Sequence, residues 1–157
     1  MVDSDYILSK LRAYCAYQER CINDVTGKLK AWKVEPESAE KIIGQLISED
    51  FLNEERFARS FASGKFRNNY WGKTKIIYEL KTRKVADHSI QTGLDEIDEE
   101  EYIETLKKLL LRKNQEIREE DPFKRKQKLI AFGIQKGYHY NLIKVVLEEM
   151  KLNDVAR

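Results

Sequence analysis

Leu29-Lys30-Ala31-Trp32-Lys33-Val34 and Leu80-Lys81-Thr82-Arg83-Lys84-Val85 carry one pattern at two places: a leucine, a mostly polar stretch, and a valine five positions on. Each run precedes another helical segment. Val34, Val85 and Tyr138 can be taken as one position in successive units. Five residues on lie Ala39, Ile90 and Ile143; nine residues on lie Ile43, Leu94 and Leu147. These spacings put an apolar stripe on the last helix of each unit. A three-helix unit of roughly fifty residues cannot bury much apolar surface alone, so neighbours are expected to stack into an elongated, curved array. Arrays of this kind hold partners along a surface and seldom perform chemistry.

The punctuation of the chain is that of helices. It has two prolines, and both suit a first helical turn: Asp121-Pro122 reads as an N-cap and first residue, and Glu35-Pro36 opens the helix carrying Ile42, Ile43, Leu46 and Ile47. No segment alternates cleanly enough to make a strand. The predicted fold class is therefore all-α, three tandem helix-turn-helix-like repeats, with helices over 5–18, 22–33, 36–50, 53–68, 73–84, 87–96, 99–119, 122–136 and 139–151. The repeats are expected over 1–52, 53–97 and 98–157.

Composition agrees. Charged residues make up 36% of the chain, high for a compact globule and ordinary for helices that expose a long polar face. No run is long enough to cross a membrane. Met1-Val2-Asp3-Ser4-Asp5 lacks the basic start and apolar stretch of a secretory signal. Cys15 and Cys21 close no useful framework and read as two reduced thiols. A cytoplasmic monomer without cofactor is the expectation.

Charge is unevenly placed although its sum is only +2. Between Asn53 and Ala86 the bases are Arg56, Arg59, Lys65, Arg67, Lys73, Lys75, Lys81, Arg83 and Lys84, opposed by Glu54, Glu55 and Glu79. The sign then reverses through Asp87, Asp95, Glu96, Asp98, Glu99, Glu100, Glu101 and Glu104. Lys107, Lys108, Arg112 and Lys113 lead on to a second basic cluster, Lys124-Arg125-Lys126 with Lys128. A basic middle unit with Tyr70-Trp71 in a short Asn-rich turn could bind phosphates and stack a base. The candidate partner or nucleic-acid surface is thus Lys65, Arg67, Tyr70, Trp71, Lys73, Lys75, Arg83 and Lys84, with Lys124, Arg125, Lys126 and Lys128. Against it stands the ordinary reading, in which such charges solvate helix faces and Trp71 packs between units.

Catalytic chemistry finds no foothold. His88 and His139 are far apart, and neither has a second histidine at helical spacing to hold a metal. Cys15, on a helix with Leu8 and Leu11, reads as a small buried hydrophobe. Gly72-Lys73-Thr74 lacks the upstream glycine and strand of a phosphate-binding loop. Phe57 and Phe61, four apart with Ala58 and Ala62 beside them, read as a packed face between the first and middle units.

The stretch Ser48-Glu49-Asp50-Phe51-Leu52-Asn53-Glu54-Glu55-Arg56-Phe57-Ala58 resembles a motif of the RecX family. Gly72, Ile76, Glu79-Leu80 and Lys84-Val85 are similar to that family's second block, and Glu19-Arg20 with Lys28-Leu29 to its first. Lys124-Arg125-Lys126, Lys128-Leu129-Ile130, Phe132, Gly137-Tyr138 and Ile143 resemble its last. The likeness runs from about Tyr14 to Glu149 in the family's order and spacing. Most departures fall at turns and caps: Cys21 where the family commonly has Ser, Asp50 for Gly, Asn53-Glu54 for an Asp pair, and Lys33 and Lys84 for Gly; one, Gly133, stands where an apolar helical residue is usual.

The resemblance implies a non-enzyme that binds RecA filaments on single-stranded DNA and dampens RecA ATPase, strand-exchange and coprotease activities. Two further readings stay open: a DNA-binding regulator built of helix-turn-helix-like units, on single- or double-stranded DNA, and a helical-repeat scaffold for another protein. The sequence pI near 8.4 and the acidic run at 87–104 speak against DNA as the sole target.

Overall fold

A computed structural model describes residues 3–150, where the regular elements are nine α-helices. They are α1 (Ser4–Tyr17), α2 (Ile22–Ala31), α3 (Pro36–Ser48), α4 (Glu54–Asn69), α5 (Lys73–Thr82), α6 (Asp87–Leu94), α7 (Glu99–Glu116), α8 (Pro122–Gln135) and α9 (Tyr140–Glu149). Each overlaps one predicted segment. The signal-peptide reading at Met1-Val2 and the last position of the helix expected over 139–151 lie outside the described residues. The largest difference is at α7, expected to reach 119. Ile117 instead turns to extended backbone, and the Arg125 guanidinium collects the carbonyls of Asn114, Ile117 and Glu119 at 2.7, 2.9 and 3.0 Å. A cation there satisfies the open carbonyls and opposes the negative end of the helix dipole.

The Leu-to-Val spacing has a geometric cause. Val34 N–H donates to Leu29 O at 3.0 Å and Val85 N–H to Leu80 O at 3.1 Å; Tyr138 N–H donates to Gly133 O at 3.0 Å. Each is the six-to-one bond of a Schellman helix end, which needs a left-handed residue just before its donor. Those residues are Lys33 (φ 56°), Lys84 (φ 59°) and Gly137 (φ 102°). Asp50 (φ 63°) does the same at the end of α3, with Phe51 N–H on Leu46 O at 2.9 Å. Three of the four therefore hold a side chain where glycine fits best. Lys33→Gly and Lys84→Gly should each stabilise the protein by about 1 kcal/mol. Urea denaturation checks this, and an unchanged or lowered midpoint would contradict it.

Gly133 has its own reason. A Cβ there would lie 2.7 Å from Ile143 Cδ1, so the glycine is what lets α9 approach α8. His139 is the N-cap of α9, with Asn141 N–H donating to its Nδ1 at 3.1 Å.

The chain divides into two compact units, Met1–Phe61 with Glu79–Leu94, and Ala62–Tyr78 with Asp95–Arg157. The divisions fall within α4, within α5 and at the end of α6. In the first unit Ile7, Leu8, Leu11, Cys15, Val25, Leu29, Ile42, Leu46 and Leu52 form one buried cluster. The motif at Ser48–Ala58 ties its turns together. Asn53 caps α4 through Arg56 N–H at 2.9 Å, and Glu54 accepts from Ile22 N–H at 2.8 Å, capping α2 in turn. Arg56 bonds Glu19 at 2.6 Å and the Asp50 carbonyl at 3.0 Å. Cys21 stands at the N-cap of α2, where Asp24 accepts its N–H at 3.0 Å. In the second unit Phe66, Tyr102 and Tyr138 stack in series, with centroids 5.7 and 5.0 Å apart, beside buried Leu106, Leu110, Leu129, Ile143 and Leu147.

Candidate functional site

Asn69, Tyr70, Trp71 and Gly72 join α4 to α5, and the second unit holds this turn at several points. Gly72 N–H donates to Lys136 O at 2.8 Å, Thr74 N–H to Gly137 O at 2.9 Å, and the Tyr138 hydroxyl to Tyr70 O at 3.0 Å. Lys136 Nζ reaches Asn69 O at 3.0 Å. Such close backbone contact requires Gly72, because a Cβ there would overlap the Gly137 carbonyl group.

Trp71 is half-buried, with Lys65 Nζ 5.0 Å and Lys75 Nζ 4.6 Å from its ring centroid. Two ammonium groups against one indole form a concentrated positive patch, each attracted by the ring face. Lys136 adds a third cation that the charge pattern of the sequence does not single out. Burial first, and repulsion from Lys75 second, lower its pKa. It is legible only from the turn contacts, since 67 residues separate it from Asn69.

Two more cations of this region, Lys73 and Arg67, pair with members of the acidic run. Lys73 Nζ lies 3.0 Å from Glu99 and 4.7 Å from the Tyr102 ring centroid. Arg67 lies 4.0 Å from Glu101. Asp98 caps α7, accepting from Glu101 N–H at 3.0 Å, so the acids also sit at the favourable end of a helix dipole. Part of the sign reversal along the sequence is thus local pairing in space.

Arg83 and Lys84 belong to the first unit. Arg83 stacks 4.8 Å from the Phe61 centroid and bonds the Glu79 carboxylate at 3.1 Å; Lys84 is exposed at its left-handed turn. In the second basic cluster Arg125 is absorbed by the end of α7, adding Asn114 Oδ1 at 2.8 Å to its three carbonyls. Within this chain it acts as a helix-capping residue. Lys128 pairs with Glu119 at 3.3 Å, Lys124 is exposed, and Lys126 is half-exposed. The cysteines offer no nucleophile: burial raises the Cys15 thiol and pushes Cys21 up to about 12.

The family model for the second three-helix domain of RecX matches residues 53–94, and that for the third matches 99–147. The chain is 28% identical to a regulatory protein RecX of Lactobacillus johnsonii over 94% of its own length, and 29% identical to one of Clostridium acetobutylicum, again over 94%. It spans about half the length of the first of these, 54%, and 71% of the second. A crystal structure of RecX from Lactobacillus salivarius matches with a TM-score of 0.85 at 20% identity, covering 95% of this chain and 97% of that one. Another crystal structure of regulatory protein RecX gives 0.84 at 22%, covering 92% and 73%. At such identities the structures speak for the fold. With the two domains in consecutive order over more than half of the sequence, and helices laid out as in those crystals, this chain belongs to the RecX family.

Proposed function

We propose that this protein binds RecA nucleoprotein filaments and inhibits RecA ATPase, strand exchange and coprotease activity, so regulating homologous recombination, DNA repair and the SOS response. The observation that carries the reading is the pair of consecutive RecX domain matches at 53–94 and 99–147. The relatives themselves are named regulatory proteins. The action is by occupancy and involves no catalysis: a cytoplasmic monomer, with repeats over 1–52, 53–97 and 98–157, obstructs a polymer through several contacts whose weak affinities add by effective concentration. The patch of Lys65, Trp71, Lys75 and Lys136 is proposed to supply much of the attraction, because the filament presents both phosphates and acidic protein surface.

The test is inhibition of RecA ATPase on single-stranded DNA between about 50 and 200 mM salt. Lys75→Glu should weaken inhibition roughly fivefold at low salt and flatten its salt dependence. Reversal at Lys73 is a poorer test, since it sets a carboxylate against Glu99. Circular dichroism must match the parent. Failure of the parent to inhibit overturns the reading. Unchanged inhibition by Lys75→Glu moves the binding face elsewhere, first to Lys124, Lys126 and Lys128.

A further inference from the structure

A cleft of ≈ 190 Å³ in the second unit is lined by Tyr70, Thr105, Lys108, Leu109 and Arg112. We infer that it is a subsite for one nucleotide step of a single-stranded nucleic acid. The Tyr70 ring stacks a base, and Lys108 and Arg112 hold the flanking phosphates.

Tyr70 is built for presentation. Its backbone is left-handed, φ 58°, a conformation that a bulky residue rarely holds and that glycine would adopt without strain. The turn is fixed there by the Tyr138 hydroxyl on Tyr70 O and by Gly72 N–H on Lys136 O. Yet the tyrosine side of this rigid turn is left outward, with the residue 46% exposed beside the cleft. A pre-positioned ring loses little freedom when a base stacks on it.

The cations complete the chemistry. Lys108 and Arg112 are one turn apart on α7, which puts them on the same face, a separation comparable with successive phosphates of an extended strand. Unlike those of Lys73, Arg67 and Lys128, their side chains make no ion pair or hydrogen bond among the described residues. Leu109 provides an apolar floor for the base, and the Thr105 hydroxyl can donate to a phosphate. A duplex keeps its bases stacked and inaccessible to such a ring, so the single strand is the form that fits.

The biological setting rests on the filament reading above, but the binding is measured without RecA, so either can fail alone. The experiment is fluorescence anisotropy of the full chain with labelled oligothymidylate and with an abasic strand of equal length. Tyr70→Ala should weaken oligothymidylate binding roughly tenfold, and Tyr70→Phe should retain it. The parent should bind the abasic strand as weakly as Tyr70→Ala does, with no further loss on combining them. Lys108→Gln with Arg112→Gln should weaken binding of both strands and reduce the salt slope by about 1.4. All these side chains are exposed or half-exposed, and unchanged circular dichroism verifies the fold. Equal affinity for abasic and thymidylate strands overturns the inference, as does unchanged binding by Tyr70→Ala or by the double variant. So does displacement by polyglutamate in place of loss with the base, which would assign the cleft to an acidic protein surface.

Discussion

Phe57→Ala is expected to lower stability by about 3–5 kcal/mol, the range for emptying a buried phenylalanine site. Phe57 is 7% exposed, and its ring centroid lies 5.8 Å from that of Phe61, tilted by 33°. The next residue, Ala58, is fully buried; a Cβ on Gly93 of α6 would lie 2.7 Å from its carbonyl oxygen. Backbones that close leave the surroundings little room to collapse into the hole, which places the cost high in its range. Phe123→Ala removes the same ring from a position that is 69% exposed and should change stability by less than about 0.5 kcal/mol. Urea denaturation of the two variants checks the pair. A Phe57→Ala protein that keeps its midpoint but loses binding to RecA filaments would show the ring to be an interface. The motif Ser48–Ala58 is then read as architecture: its Asn53, Glu54 and Arg56 are committed to α4, α2 and the Glu19 carboxylate within the first unit.

The helices were legible because their signals are local. The cap at Asp121, prolines at Pro36 and Pro122, and the Leu-to-Val interval each act within six residues. Even the departures from the family pattern have a local explanation. Lys33, Asp50 and Lys84 occupy left-handed helix ends that tolerate a side chain at a cost, so turns were altered without loss of the helices. The site was less legible, because its charges are set by partners remote in sequence. Lys73 and Glu99, 26 residues apart, neutralise one another, so a tally of bases overstates the middle unit. Arg125 reads as a surface cation in a Lys-Arg-Lys run, and only the position of the end of α7 shows that its donors are already used. Lys136, and the cleft formed by Tyr70 with Lys108 and Arg112, need the contact of α8 and α7 with the turn after α4, which no periodicity encodes.

Gly72→Ala is expected to cost upwards of about 3 kcal/mol, against a gain of roughly 0.5–1 kcal/mol for the same change at Gly44. Both replacements add one methyl group. At Gly44, exposed within α3, nothing lies within 4 Å of the new Cβ, so the substitution only removes backbone freedom from the unfolded chain. At Gly72 the Cβ would overlap the carbonyl carbon and oxygen of Gly137 and the amide of Tyr138, all of them backbone. No rotamer change relieves such a clash. The turn must withdraw, which opens the bonds from Gly72 N–H to Lys136 O and from Thr74 N–H to Gly137 O, and strains the Tyr138 hydroxyl bond to Tyr70 O. Each bond lost from a buried group adds about 1–3 kcal/mol. The same withdrawal moves Tyr70 and Trp71, so oligothymidylate affinity should fall with stability in Gly72→Ala and stay at the parent value in Gly44→Ala. A Gly72→Ala protein as stable as its parent would mean that the turn is not held by the helix end at Gly137, and the rigid presentation of Tyr70 would go with it.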